Sequence, residues 1–250
     1  PTATFLILGR SCTRRCRFCA VDKGHPSPPD PGEAGRIACM AAAMGLRHVV
    51  ITSVSRDDLP DRGAGAFARA VREVRKALPG STVEVLTPDF SGREDLLELV
   101  LNEKPDVFNH NIETVGRLYE TIRPQASLET SLRILRAARE YSLDLVVKSG
   151  LVLGLGEQEE EISETLASLS WAGCDLVTMG QYLQPTRAQV PVSRYWLPED
   201  FERFSDIAKN AGIRYVLSGP LVRSSYRARE ALEDIRRDRR RYGIDTGRDE

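Results

Sequence analysis

The chain has 250 residues, 41% of them hydrophobic, and carries 35 Lys and Arg residues against 36 Asp and Glu. This length suits one large α/β domain or two small ones, and the near-zero net charge gives no argument for nucleic acid as a partner. No apolar run approaches the length of a membrane span, so no membrane partner is expected either.

The first predicted element is an apolar strand at 2–8, and the loop after it carries three cysteines. Cys12, Cys16 and Cys19 have the spacing Cys-x-x-x-Cys-x-x-Cys. Three thiolates at this spacing can hold three irons of a [4Fe–4S] cube and leave the fourth iron open to a ligand. Reductive cleavage of S-adenosylmethionine (SAM) requires such an open iron, so the loop predicts a [4Fe–4S] cluster and SAM. Phe18 is expected to pack beside the cluster or in the core.

Two other interpretations of the cysteines are weaker. A structural zinc site usually needs four closed ligands, and only His25, in a Pro-rich turn, lies close downstream. Disulfides are disfavoured because the five cysteines are an odd number and no secretory segment is visible. We therefore expect a protein of a reducing compartment, with a cytoplasmic location.

Beyond this loop, short β-rich runs alternate with amphipathic helical patterns. This regular alternation indicates parallel βαβ units. Six consecutive units favour an α/β fold of the open, partial (β/α)6 barrel type over a doubly wound sheet. Strands are predicted at 48–53, 82–87, 107–112, 145–153, 176–179 and 215–218, and helices at 33–44, 64–78, 93–102, 114–122, 128–141, 159–172 and 198–211.

Polar residues cluster just after the predicted strands, which also favours the barrel. In a parallel barrel these segments open on the carboxyl-terminal face, where active sites form. The cysteine loop follows the first strand and would open on the same face. The polar residues include Thr52, Ser53, Asp57, Asn111, Glu113, Lys148, Gln181 and Tyr182.

Several of these residues have two interpretations. Glu113 would accept hydrogen bonds from a ribose or an ammonium group, or cap the predicted helix at 114–122. The carboxylates around Asp57 would hold an ammonium group, or pair with Arg56 in a solvated loop. Lys148, inside an apolar run, needs water or an anion, and a SAM carboxylate would serve. His110 alone is more typical of a structural histidine.

The C-terminal part has its own pattern, so we divide the chain into a barrel at 1–222 and a C-terminal motif with a charged helix or tail at 223–250. Neither serine of the segment 223–226 has an obvious general base, which argues against a hydrolase. The charged stretch from Arg229 onward indicates a solvated helix that frays into a tail, with a docking surface for an acidic partner as the alternative.

Ten segments together carry a family resemblance: 2–5, 12–19, 52–54, 56–61, 88–90, 110–114, 148–150, 153–157, 180–185 and 219–226. In this order, and over nearly the whole chain, they resemble the lipoyl synthase family of radical-SAM enzymes. The resemblance implies that the cluster on the three cysteines reduces SAM to a 5′-deoxyadenosyl radical. The radical would abstract hydrogen from C6 and C8 of an octanoyl chain on a lysine of a carrier protein, either a lipoyl domain or H-protein. A reductase, ferredoxin or flavodoxin would supply the electron.

The resemblance also implies a second, auxiliary [4Fe–4S] cluster that supplies the two sulfurs. In the family, three cysteines of an N-terminal Cys-x4-Cys-x5-Cys segment and one serine of an Arg-Ser-Ser-Tyr motif hold that cluster. Ser225 matches the serine, with Ser224 as second choice, and Arg223 would lie beside the cluster and the substrate. SAM contacts are implied near Thr52, Ser53, Asp57, Asn111, Glu113, Lys148, Gln181, Tyr182 and Leu183.

The sequence departs from the family pattern at two places. The auxiliary cysteine segment is expected just before Thr2, and the sequence begins at Pro1, so we expect that an upstream segment is missing. The alternative is a single-cluster chain that cleaves SAM but inserts no sulfur unaided. Gln189 stands near the usual position of a histidine. The alternative functions are a biotin-synthase-like sulfur inserter, a single-cluster hydrogen abstractor, or a cluster-binding scaffold without turnover.

Overall fold

The computed structural model describes residues 1–242, and seven of its strands form one sheet in which every pairing is parallel. The sheet order is β1-β4-β5-β6-β7-β8-β9, so β1 and β9 lie at the two edges. Strands β2 and β3 pair separately with each other. The strands are β1 (Thr2–Ile7), β2 (Ser11–Cys12), β3 (Asp22–Lys23), β4 (His48–Ser53), β5 (Thr82–Leu86), β6 (Val107–Asn109), β7 (Val146–Leu153), β8 (Leu176–Gln181) and β9 (Tyr215–Ser218).

Helices connect the sheet strands, and local signals fix several of their ends. Ser127 caps α5 by accepting a hydrogen bond from the Thr130 amide. Pro198 occupies the first turn of α7, where its missing N–H costs nothing. Within residues 1–242 no helix is long and apolar enough to cross a membrane. The helices are α1 (Glu33–Ala43), α2 (Ala64–Ala77), α3 (Glu94–Leu101), α4 (Tyr119–Ile122), α5 (Leu128–Tyr141), α6 (Glu159–Trp171), α7 (Pro198–Asn210) and α8 (Ala228–Arg241).

This arrangement confirms the predicted α/β fold, an open partial barrel of six βα units, with β9 added as a seventh strand. One predicted helix is different. The segment 114–122 forms a single 3-10 turn at Gly116–Leu118 and the one-turn α4. Glu113 before it has a positive φ of 68°, and Val115 is extended. Pro124 restricts Arg123 to a non-helical conformation, which ends α4.

The two faces of the sheet have different chemistry because side chains alternate along each strand. The outer face is apolar: Val49, Val85 and Val147 pack under the helices in the main core. The inner face, which lines the barrel lumen, carries buried charged residues, including Glu84 and Lys148. The lumen is therefore the place where polar ligands can be held.

Helix α8 closes the amino-terminal end of this lumen. Its residues Leu232 and Ile235 pack in one cluster with Val107, Val146 and Leu176, the first residues of three strands. The expectation of a solvated helix is therefore wrong for this face of α8, because four of its apolar side chains are buried. Residues 243–250 of the predicted tail lie outside the described residues.

The packing of α8 predicts a stability cost for truncating it. Ile235 is 1% exposed, so Ile235→Ala should lower the free energy of unfolding by about 2–4 kcal/mol through lost burial and a cavity. Urea denaturation followed by circular dichroism measures this. Arg240→Ala, on the exposed face of the same helix, is the control and should change stability by less than about 0.5 kcal/mol. Equal effects of the two variants would mean that α8 does not close the barrel.

Candidate functional site

The three cysteines lie in a closed loop at the carboxyl-terminal end of β1. The parallel pairing of β2 with β3 places Ser11 opposite Asp22 and Cys12 opposite Lys23, and this pairing closes the loop. Cys16 and Cys19 therefore lie inside a loop whose two ends, β2 and β3, pair with each other. All three thiols are free and half-buried.

A single arginine inside the cysteine motif ties this loop to two neighbouring strands. Arg14 is 5% exposed. Its Nε and Nη2 donate to Asp57 at 2.9 and 3.0 Å, and its Nη1 and Nη2 donate to Asp89 at 2.6 Å each. Burial alone would raise the pKa of Asp89, but hydrogen bonds and charge from Arg14 lower it to about 2. Thr13 adds a hydrogen bond to Asp57 at 3.0 Å.

The opposite side of the loop is held through backbone groups. The Arg15 amide donates to Gln125 Oε1 at 2.6 Å, and the Arg17 amide donates to the carbonyl of Ile122 at 2.9 Å. The Arg17 carbonyl in turn accepts from the Val190 amide at 3.0 Å. The loops after β4, β5, β6 and β8 therefore all position the cysteines.

A polar pocket adjoins Cys16 at this end of the lumen. Its lining includes Thr52, Ser53, Asn111, Glu113 and Arg123 beside Cys16 and Thr87. Among the described residues, four buried polar atoms of this lining have no hydrogen-bond partner: Ser53 Oγ, Thr87 Oγ1, Asn111 Oδ1 and Arg123 Nε. Buried polar groups normally have partners, so these atoms indicate a ligand site.

The charge of Arg123 shapes the electrostatics of this pocket. Its guanidinium donates to the carbonyl of Ile112 at 2.8 Å and to the Tyr119 hydroxyl at 3.1 Å. Burial raises the pKa of the Cys16 thiol, and Arg123 partly offsets this rise. Burial likewise raises the pKa of Glu113 against the opposing effects of Arg123 and Asn111. The pocket thus places one cation beside a thiol and a carboxyl group.

The donor set fits an iron–sulfur cluster better than a single metal ion. In the described part of the chain, no three His, Cys, Asp or Glu side chains cluster closely enough to hold one ion, which disfavours the zinc interpretation. In a cube, each of three thiolates binds a different iron, so such close clustering is not needed. The unpartnered polar atoms beside Cys16 would be available to a polar ligand of such a cluster.

The family model of the radical SAM superfamily matches residues 6–169. The chain is 52% identical to the lipoyl synthase of Rubrobacter xylanophilus over 94% of its own length and 74% of that relative's. It is 54% identical to the lipoyl synthase of Chlorobaculum tepidum over 94% of the chain and 80% of that relative. The chain belongs to the lipoyl synthase family of radical SAM enzymes. The family implies one [4Fe–4S] cluster and SAM as cofactors.

Several solved structures share the fold. The FeFe-hydrogenase maturase HydG from Carboxydothermus hydrogenoformans superposes with a TM-score of 0.66 at 14% identity, over 94% of this chain and 66% of that one. Streptococcus suis SuiB bound to S-adenosylmethionine gives a TM-score of 0.66 at 12% identity, over 86% and 49%. At these identities the likeness supports the barrel fold alone.

The structure brings four of the predicted SAM contacts together with Cys16: Thr52, Ser53, Asn111 and Glu113 line one pocket. Phe18 is half-buried and packs against the core. Leu183 is exposed after β8. His110 is a structural histidine, as expected: its Nδ1 donates to the Thr87 carbonyl at 2.9 Å, and its Nε2 accepts from Ser131 Oγ at 3.0 Å.

Three other predicted contacts have protein partners instead. Lys148 Nζ, fully buried in the lumen, pairs with Glu84 at 2.8 Å, so the anion that satisfies it is a side chain rather than a SAM carboxylate. Asp57 is committed to Arg14. Gln181 donates to the backbone carbonyls of Tyr182 and Arg194 and accepts from the Trp196 amide.

Tyr182 has a similar supporting position. It is buried, and its hydroxyl donates to the Val190 carbonyl at 2.8 Å. Together with the Gln181 bonds, this contact holds the loop 183–196 against the cysteine loop. These two residues therefore support the site without pointing a free polar group at it.

After β9, the Arg-Ser-Ser-Tyr segment (residues 223–226) runs along the lumen toward the amino-terminal end of the barrel. The Pro220 carbonyl accepts from the Gln181 amide at 3.2 Å, and a Cβ added at Gly180 would collide with the Val222 carbonyl. Lys148 Nζ donates to the Ser224 carbonyl. These backbone contacts fix the position of Ser225, which is half-buried, and none of them involves its hydroxyl group. Arg223 is exposed, and its Nη1 donates to the Val222 carbonyl at 2.7 Å.

Sequence reasoning missed two residues of the site, Arg14 and Arg123. Arg14 stands inside the cysteine motif, but its two partners are 43 and 75 residues away. Arg123 directly follows the segment 114–122, for which the sequence pattern predicted a full helix. Such a helix would have placed Arg123 away from the pocket. Its one signal was the following Pro124, which marks a turn rather than a helix.

The Arg14 contacts predict a specific defect. Arg14→Met leaves Asp89 buried without its partner and should lower the free energy of unfolding by about 3–5 kcal/mol. It should also reduce the iron bound after anaerobic reconstitution, because the cysteine loop loses its anchor. Arg14→Lys should recover only part of both losses, since a lysine cannot bridge two carboxylates with a planar fork.

The control for Arg14 is Arg15→Met in the same loop, because the Arg15 side chain is exposed and its amide contact is retained. Urea denaturation and iron analysis should place this variant close to the parent. Full iron loading of Arg14→Met would contradict the anchoring role.

Proposed function

We propose that the chain inserts sulfur at C6 and C8 of an octanoyl group attached to a carrier-protein lysine, forming the lipoyl cofactor. Membership of the lipoyl synthase family supports this function. The observation that carries it to named residues is the pocket beside Cys16, in which four buried polar atoms lack partners. The proposal needs SAM and substrate to meet at this end of the lumen.

The cysteine loop is proposed to hold the radical-SAM cluster through Cys12, Cys16 and Cys19. When bound there, the cluster supplies the electron that cleaves SAM to a 5′-deoxyadenosyl radical. The protein's part is to keep three thiolates aligned and one iron free. Arg14 does this from within the loop by holding Asp57 and Asp89.

SAM is proposed to bind through the lining of the pocket. Ser53, Thr87 and Asn111 offer unpartnered polar atoms to its ribose and methionine groups. Glu113 accepts hydrogen bonds from a ribose or ammonium group, and Arg123 places its positive charge where a carboxylate can approach. Thr52 donates to the Leu86 carbonyl at 3.1 Å and fixes the pocket wall.

Ser225 is proposed as the protein oxygen ligand of an auxiliary [4Fe–4S] cluster, the sulfur donor, with Arg223 beside it. Lys148 acts as a positioning residue, because its bond to the Ser224 carbonyl fixes the backbone directly before Ser225. Burial would raise the pKa of Glu84, but the charge of Lys148 and the contact with His48 hold it below its ordinary value. Lys148 therefore keeps a charged partner inside the lumen.

The proposed partners follow from this reaction. The octanoylated substrate is a lipoyl domain or H-protein, and a reductase, ferredoxin or flavodoxin supplies the electron. The reducing chemistry and the free thiols suit a cytoplasmic location.

Removing one cysteine tests the cluster assignment. Cys16→Ala should abolish formation of 5′-deoxyadenosine from SAM, because two thiolates hold the cluster poorly. Iron analysis after anaerobic reconstitution should show a loss of about four irons per chain. Cys39→Ala, which removes an exposed thiol of α1, is the matched control and should retain both iron and SAM cleavage. Normal 5′-deoxyadenosine formation by Cys16→Ala would falsify the assignment.

A pair of serine variants tests the auxiliary ligand. Ser225→Ala should leave SAM cleavage largely intact and abolish lipoyl product in the enzyme reconstituted with both clusters. Ser224→Ala keeps the backbone carbonyl that Lys148 binds and should retain product. Mass spectrometry of an octanoyl-lysyl peptide measures the product, and electron paramagnetic resonance reports the auxiliary cluster. If Ser224→Ala loses product and Ser225→Ala retains it, the ligand is Ser224.

A further inference from the structure

Three chain segments around the mouth of the lumen are strongly basic, although the whole chain has a net charge of −1. They are residues 9–25, 182–197 and 219–223, and Asp22 is their one acidic residue. Seven exposed basic side chains lie on them, which we call the basic rim. The basic rim consists of Arg10, Arg15, Arg17, Lys23, Arg187, Arg194 and Arg223.

The charges of the basic rim are not balanced by ion pairs. In the part of the chain that the structure describes, none of its seven side chains forms an ion pair. Arginines on the outer helices and their loops are commonly paired, as Arg72 is with Glu103 and Arg117 with Glu161. An unbalanced cluster of one sign produces a field that attracts an oppositely charged partner.

Backbone contacts hold the three segments next to one another. The Val190 amide donates to the Arg17 carbonyl, and Gln189 Nε2 donates to the Cys19 carbonyl at 3.5 Å, which joins the second segment to the cysteine loop. The Gln181 amide, directly before the second segment, donates to the Pro220 carbonyl of the third segment at 3.2 Å. The rim therefore surrounds one opening instead of being spread over the surface.

Several carboxylates at this end of the barrel bind arginines outside the rim. Asp57 and Asp89 bind Arg14, and Asp58 binds Arg56 at 2.8 Å. Apolar side chains stand among the rim arginines. Leu221 is 77% exposed and Tyr195 67%, and Leu183 and Leu197 are also exposed. A surface of exposed apolar groups set among cations is typical of a protein-binding site.

We infer that the basic rim is the docking surface for an acidic face of the octanoylated carrier protein. This inference rests on the proposed function, which requires the modified lysine to reach the pocket beside Cys16. Acylation removes the positive charge of that lysine, so a cationic mouth does not repel it. Acidic groups around the lysine would bind the rim while the acyl chain enters the lumen, and the field of the rim would raise the association rate.

The test compares two charge-reversal variants that change the net charge equally. Arg10→Glu/Arg187→Glu alters the rim at two side chains for which the structure gives no hydrogen bond or ion pair. Arg214→Glu/Arg240→Glu makes the same change at exposed positions toward the amino-terminal end of the barrel.

The dissociation constant of the octanoylated carrier protein is measured by isothermal titration calorimetry at low and high salt. The rim variant should bind about tenfold more weakly at low salt, and high salt should reduce the difference. The control variant should bind like the parent.

Activity with a neutral, terminally blocked octanoyl-lysyl peptide separates docking from chemistry. The rim variant should convert this peptide at the parent rate, with dithionite as reductant. Equal affinity of the two variants for the carrier protein would overturn the inference. A loss of activity in the rim variant that is as large with the peptide as with the carrier protein would also overturn it. If the defect appears only with a flavodoxin donor and disappears with dithionite, the rim binds the electron donor instead. If the parent converts neither substrate, the proposed function fails, while the affinity comparison still decides the docking role.

Discussion

The forked contact of Arg14 with Asp57 and Asp89 is the interaction on which the candidate site depends. It joins the cysteine loop to the ends of β4 and β5 through a side chain that is almost fully buried. Both carboxylates have already lost part of their hydration, so the guanidinium is needed to balance them, and removing it leaves a buried charge unpaired. The cysteine motif is therefore not an independent metal-binding loop. The geometry of this loop depends on the barrel, because the loops after β4 and β5 place Asp57 and Asp89 where Arg14 can bind both. The proposed cluster site and the sheet therefore form as one unit.

A second charged layer lies deeper in the lumen and links the barrel to the C-terminal segment. Lys148 on β7 pairs with Glu84 on β5, and Asn109 Nδ2 donates to the same carboxylate at 3.0 Å. Burying such a pair costs more desolvation energy than an apolar pair would, so its presence indicates a positional role. That role is visible in the remaining contact of Lys148, with the Ser224 carbonyl. Helix α8, which continues from this segment, then closes the lumen below the charged layer. The same segment thus connects the proposed sulfur-donor site with the closed end of the barrel.

The sequence allowed the fold to be predicted well because strand and helix periodicities depend on near neighbours in the chain. All six βα units lie where the alternation placed them. Two residues at the end of β4 and two after β6 line one pocket with Cys16, as the strand-end argument predicted. The partners of buried charges could not be predicted, because those pairings join distant segments. Lys148 was expected to need an anion, and it has one, but which anion depends on the register of β5 against β7. The helix predicted at 114–122 failed for a related reason: tertiary bonds from Arg123 to the carbonyls of residues 111 and 112 replace the local helical pattern.

The placement of Arg123 bears on the proposed role of the half-buried Cys16 thiol as an iron ligand. A cysteine binds iron as the thiolate, and burial raises the pKa of Cys16, so the environment opposes the form that ligation needs. Arg123 acts in the other direction on Cys16 and on Glu113, and it is oriented by the Ile112 carbonyl and the Tyr119 hydroxyl rather than by an ion pair with a carboxylate. Because no acidic side chain neutralises it among the described ion pairs, its charge remains available to the pocket. Arg123, held by neutral groups, can therefore lower the free-energy cost of placing a thiolate and a carboxylate close together in a poorly solvated site.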